Sequence, residues 1–226
     1  MDWSSLCLAQ FADPFSSLSH LIGAGMFTAF TPSLLSRARG DSGRLWSVGM
    51  FCVATVALLG ISGFYHSLDR SGSGRWVFAR IDHAAIFIFI ACTFTPVHVI
   101  LFRGVERWGV LAFVWTFGIV ALALKIAFFS QLPKPVGLAL YLAMGWIGLL
   151  TGVLLWRRHG YHFVQPMLWG GIAYSTGALL DAFHWPIVQA GAIEGHEVFH
   201  VAVLLGLALH WSFVYAIADG RLSPPR

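Results

Sequence analysis

Seven apolar stretches, roughly 14 to 36, 45 to 68, 77 to 102, 108 to 130, 135 to 156, 163 to 185 and 194 to 217, take up most of this chain. Each is about as long as the 20 residues a helix needs to cross the ~30 Å hydrocarbon core of a bilayer. The segments between them, "RARGDSGR", "DRSGSGR", "RGVER", "QLPK", "RRHGYH" and "VQAGAI", are short and polar or glycine-rich. The expected fold is an all-α, polytopic membrane protein: one seven-helix transmembrane domain spanning 1–226, with no soluble domain left over. No internal repeat of the kind that marks inverted-repeat transporters is seen. Composition agrees, since 58% of the 226 residues are hydrophobic and 11% charged, too little polar surface for a soluble globule of this size. Without a basic n-region, short apolar run and small-residue cleavage site, the first apolar segment is expected to stay in the bilayer.

Other classes are excluded on similar grounds. Cys7, Cys52 and Cys92 are far apart and show no C-x-x-C spacing, so they are expected to be buried thiols. The net charge of +4 comes from arginines scattered over short loops, without the basic run and interleaved aromatics of a nucleic-acid binder.

An odd number of spans places the N-terminus and the loops after the second, fourth and sixth spans on one face, here called face A. The intramembrane polar residues fall on that face. Asp13 and His20 open the first span, Ser62 and His66 close the second, and Asp82 and His83 open the third. Lys125 lies near the end of the fourth, Asp181 and His184 near the end of the sixth, and His196, Glu197 and His200 at the start of the seventh. Most lie within six residues of a helix end, about 9 Å deep at 1.5 Å per residue. Ionisable residues in a membrane are costly and default to a functional reading, and these suggest one polar pocket open to face A. The bland readings are local. Lys125 can snorkel to the interface, and His83 and His184 are interfacial side chains. His98 and His210, toward the opposite face, are structural hydrogen-bonders, and His159 and His162 belong to a loop. Asp82, six residues into an apolar run, is the hardest to explain structurally.

The stretch "HEVFH" contains H-E-x-x-H, a zinc metalloprotease motif when it lies on a helix. His196 and His200, four apart, sit one turn apart on one helix face, as two imidazole ligands of one Zn²⁺ require. The protease reading lacks its third ligand. Val203 and Gly206 occupy the glycine and last histidine positions of the extended motif. The downstream acid Asp219 would lie about 28 Å from His200 along a continuous helix, and an intramembrane protease draws its acid ligand from a later span, whereas this span is the last. The third ligand is therefore expected from another span at face A, where His66, one turn after Ser62, is placed for it.

Ser62-x-x-x-His66, "IDHAAIF" with Asp82, and His196-x-x-x-His200, extended by "CTFTPVH", "YLAMGWIG" and "HEVFHVAVLLG", resemble the three-part signature of the progestin and adipoQ receptor family, in its bacterial hemolysin III branch. The likeness covers nearly the whole chain. It implies a seven-helix bundle holding Zn²⁺ on His66, His196 and His200, with Asp82 and Ser62 beside a metal-bound water and Glu197 not acting as a protease base. The family's first-span motif has Glu, Asn and His, and this chain has Asp13, Ser16 and His20 at those places. Relatives of the fold include ceramidase-type lipid amide hydrolases and membrane receptors.

Three neutral histidines leave a fourth tetrahedral position open, as in catalytic zinc sites, with Asp82 as proton acceptor and Ser62 as hydrogen-bond donor. The leading expectation is a zinc-dependent hydrolase of a membrane-lipid amide or ester. The rival is a non-enzymatic receptor or membrane-state sensor whose zinc clamps the second and seventh spans. A pore former, which the family name suggests, is the weaker alternative, because the polar residues stop at face A. Five Lys and Arg (Arg70, Arg75, Arg80, Lys125, Lys134) lie near face A and the other nine of 14 on the opposite face, which puts the N-terminus outside. The receptor branch of the family has its N-terminus inside, opposite to this charge bias.

Overall fold

The computed structural model describes residues 12–189 and 193–222; Cys7 lies outside them. The described chain is helical, with one isolated bridge between Gln189 and Ile193. The helices are α1 (Pro14–Arg37), α2 (Ser42–Ser67), α3 (Ser73–Leu101), α4 (Gly104–Ala127), α5 (Lys134–Trp146), α6 (Gly148–His159), α7 (Tyr161–Ala182) and α8 (Gly195–Ile217). Helices α5 and α6 are halves of one rod, interrupted at Ile147 between Gly145 and Gly148.

Local chemistry sets the ends. Pro14 stands at the first helical position of α1, where its missing N–H costs nothing. The Asp41 side chain caps α2 by accepting from the Arg44 N–H at 2.9 Å. Between α6 and α7 the whole connection is Gly160, whose φ of 86° suits glycine. His159 is therefore the last residue of α6 and His162 the second of α7, not loop residues.

Among the described residues, counting the α5–α6 rod as one, six rods are long and apolar enough to cross a membrane; α7 falls short because of residues such as Gln165, Pro166, Gly170, Gly171 and Asp181. It nevertheless runs antiparallel along the length of α8. A Cβ on Gly177 would lie 2.5 Å from the Ala202 Cβ, and one on Gly206 would lie 2.7 Å from the Tyr174 ring. Lipid gives helices no hydrophobic reason to associate, so such close approaches between small residues are what hold them together. Side chains such as Ile22, Val53, Phe113, Leu150 and Leu205 point outward in mid-helix, as a lipid-facing surface requires. The chain is a multi-pass integral membrane protein.

At one end, α1 is tied to α8 through Arg37, which donates to the Tyr215 carbonyl and to Asp219 at 2.8 Å each. His98 sits toward that end, bonded to the Glu106 carbonyl (2.8 Å) and Thr151 (3.0 Å), and His210 bonds the Gly206 carbonyl at 2.9 Å. Both are structural hydrogen-bonders. Cys52 and Cys92 are free and buried.

Candidate metal centre

The opposite end gathers the residues singled out at face A. His66, in the last turn of α2, meets His196 and His200 in the first two turns of α8. One nitrogen from each lies within 4.8 Å of the others, so the three could hold a metal ion. The Nε2 atoms of His196 and His200 are 3.1 Å apart, and the His66 ring centroid is 5.0 Å and 4.7 Å from those two rings. Zinc–nitrogen bonds of about 2.0 to 2.1 Å would set tetrahedral ligand atoms about 3.3 Å apart. The observed spacing needs only small side-chain adjustments to reach that.

Two carboxylates orient two of the imidazoles. The Nδ1 atoms of His66 and His196 lie 3.0 Å from Asp13 and 3.0 Å from Asp181. An ionised carboxylate only accepts, so Nδ1 carries the proton in each ring and each neutral Nε2 keeps its lone pair for the centre of the cluster. The donor set therefore fits a cation that takes imidazole nitrogen. His200 Nδ1 is buried without a partner among the described residues, and the His20 ring lies over it with centroids 4.0 Å apart.

Asp13 is itself held by Arg70 (2.8 Å) and Arg75 (2.6 Å), and its backbone N–H donates to the His66 carbonyl at 3.1 Å. Partial burial would raise its pKa. The hydrogen bond from His66, backed by those from Arg75 and Arg70, wins and holds the Asp13 carboxyl well below the usual carboxylate range. Ser17 fixes this corner by donating to the Gly63 carbonyl at 2.7 Å, and the missing side chain at Gly63 admits Leu21 of α1.

The Ser62 side chain interacts with the Asp82 carboxylate, which also lies within electrostatic range of His196. Asp82 is half-buried on α3, and Ser62 is buried one turn before His66 on α2. His83 turns away: its Nδ1 bonds the Ala79 carbonyl of its own helix at 2.7 Å.

Glu197 has a different task from the one its motif suggests. Its carboxylate accepts from the Glu194 N–H at 2.9 Å, completing a capping box at the start of α8, and from the Ser16 hydroxyl at 3.3 Å. Both oxygens are committed to holding α8 and α1. The H-E-x-x-H glutamate is thus a helix cap. The Glu194-x-x-Glu197 spacing was a capping signal in the sequence that the protease motif obscured. Asp181 and Asp13 were visible as face-A acids, but not as partners of particular histidines.

A family described as haemolysin-III related matches residues 9–211 by its sequence model. The chain belongs to that family. It is 30% identical over 196 residues to "Hemolysin-3" of Bacillus cereus, covering 86% of each chain. It is 26% identical over 169 residues to "Hemolysin-3 homolog" of Bacillus subtilis (strain 168), covering 74% of this chain and 76% of that one. A plant protein, "Heptahelical transmembrane protein ADIPOR2" of Oryza sativa subsp. japonica, is 27% identical over 191 residues, or 78% of this chain and 83% of its own. These relatives tie the chain to the hemolysin III and progestin and adipoQ receptor group.

Proposed function

We propose that this haemolysin-III related protein is a zinc-dependent hydrolase acting on an amide or ester of a membrane lipid. The observation that carries the reading is a cluster of three histidines, two of them oriented by carboxylates, with the Ser62–Asp82 pair beside it at the membrane interface. His66, His196 and His200 would hold the Zn²⁺, which when bound supplies Lewis acidity and lowers the pKa of a water at its open position to about 7. Asp13 and Asp181 keep the Nε2 lone pairs of His66 and His196 aimed inward. Asp82 takes a proton at its carboxylate, and the Ser62 hydroxyl, which interacts with Asp82, orients that group or donates to the developing oxyanion. The substrate bond enters laterally from the bilayer, at the depth of the histidines.

The decisive experiment is turnover by purified protein on a panel of lipid amides and esters, with zinc and with chelator. Zinc-dependent turnover on one of them is expected. No turnover on any, together with normal zinc binding, rejects the hydrolase in favour of a receptor or sensor in which the metal clamps α2 to α8.

A further inference from the structure

Near the same end of the bundle, two cations on α3 and α4 have no acid. Lys125, in the last turn of α4, is only 6% exposed and forms no hydrogen bond or ion pair among the described residues. Its ammonium lies 5.0 Å from the Phe129 ring centroid and packs on the start of α5, where a Cβ on Gly137 would meet Nζ at 3.2 Å. Arg80 on α3 stacks 3.5 Å over Trp76 and lies 5.6 Å from the same Phe129 ring, and its buried Nε has no partner among the described residues. The nearby acids are engaged elsewhere, Asp82 with Ser62 and Asp181 with His196.

Lys125 is two residues from the end of α4 and has a stem long enough to snorkel into water, yet its side chain is buried. The element it meets is the N-terminus of α5, which has no side-chain cap and no acid in its first turn. The helix dipole is positive there, so the ammonium packed against it is repelled and gains from an anion within its reach. Phe129 offers its ring face to both cations, but cation–π contacts compensate a desolvated charge only in part.

We propose that Lys125 and Arg80, which share the Phe129 ring, form a binding site for a phosphate group, that of an anionic phospholipid. The depth fits, since the exposed Trp76 and Phe128 mark the interfacial level on α3 and at the end of α4. So does the surface below it: Ile119, Val120, Leu124 and Ile126 of α4 are exposed and would lie along acyl chains. Basic pockets between membrane helices are known to take lipid headgroups. The inference does not depend on what the histidines hold.

The test uses the full chain in neutral detergent as wild type, Lys125→Met and Arg80→Gln. Phosphatidylglycerol, phosphatidylcholine or inorganic phosphate is added, with bound lipid read by native mass spectrometry and stability by thermal melts. Phosphatidylglycerol, more than phosphatidylcholine, should bind the wild type and raise its melting temperature. At about the worth of one interfacial basic residue, each variant should bind it roughly fivefold or more weakly, while keeping wild-type zinc content. Without lipid, Lys125→Met should be at least as stable as the wild type, because an uncompensated buried charge has been removed. Equal phosphatidylglycerol binding by all three proteins overturns the proposal. A wild-type shift reproduced by inorganic phosphate overturns the lipid source. Should Lys125→Met not fold, the Arg80→Gln comparison alone decides.

Discussion

Replacing Asp13 by Asn tests whether the carboxylate behind His66 sets metal affinity. The aspartate accepts from His66 at 3.0 Å, Arg70 at 2.8 Å and Arg75 at 2.6 Å. Asparagine keeps the volume but loses the charge, and its single oxygen serves either His66 and Arg75, which share one carboxylate oxygen, or Arg70, which uses the other. The Arg70 side chain is 73% exposed, so its pair contributes little. The His66 and Arg75 side chains, at 6% and 16%, are the ones that matter. Losing the carboxylate behind a ligand histidine typically weakens metal binding about 10- to 100-fold, or about 1.4 to 2.7 kcal/mol. Arg75 keeps its bond to the Leu68 carbonyl at 2.6 Å but loses its charged partner, which costs about 1 to 3 kcal/mol of fold stability as well. Competition against a fluorescent zinc chelator reads the first effect, and a melt in excess chelator reads the second. Arg70→Gln is the control and should change zinc affinity less than about threefold. An Asp13→Asn variant with wild-type zinc affinity would refute the claim that this carboxylate orients the ligand.

Further outcomes follow from the same geometry. Asp82→Asn should fold and retain zinc under saturating metal while losing about 100- to 10,000-fold in turnover on the identified substrate; full turnover would remove Asp82 from the chemistry. Glu197→Gln preserves a capping acceptor, so zinc content and turnover should stay within about twofold, and a large loss of rate with zinc intact would restore the protease-like role of that residue. Gly177→Ala puts a methyl 2.5 Å from the Ala202 Cβ and 3.3 Å from the Phe199 Cα. Neither can rotate away, so thermal melts should show a loss of about 1 to 3 kcal/mol, and an unchanged melt would mean that α7 and α8 are not closely packed there.

The helices were legible because lipid demands long apolar runs, and polar punctuation separates them cleanly. The break at Ile147 was not, since "MGWIGLL" carries neither proline nor charge. The histidines were legible for a similar reason: imidazole at i and i+4 in an apolar helix is conspicuous, and parity put His66 on the same face. The acids behind them were not assignable. Which histidine Asp13 meets depends on α1 lying against α2, 53 residues away in sequence, and on side-chain directions that no spacing encodes. Lys125 shows the limit most plainly. Its sequence allowed snorkelling or burial, and the choice was made by Gly137, on another helix, leaving room for its ammonium.

Metal stoichiometry tests the central claim most directly. Protein purified without added chelator should carry about one Zn²⁺ per chain by elemental analysis. His66→Ala, His196→Ala and His200→Ala should each lose it, while His210→Ala, whose ring bonds the Gly206 carbonyl instead, should keep it. Wild-type protein without zinc, or full zinc retained by the His66→Ala variant, would contradict the three-histidine centre.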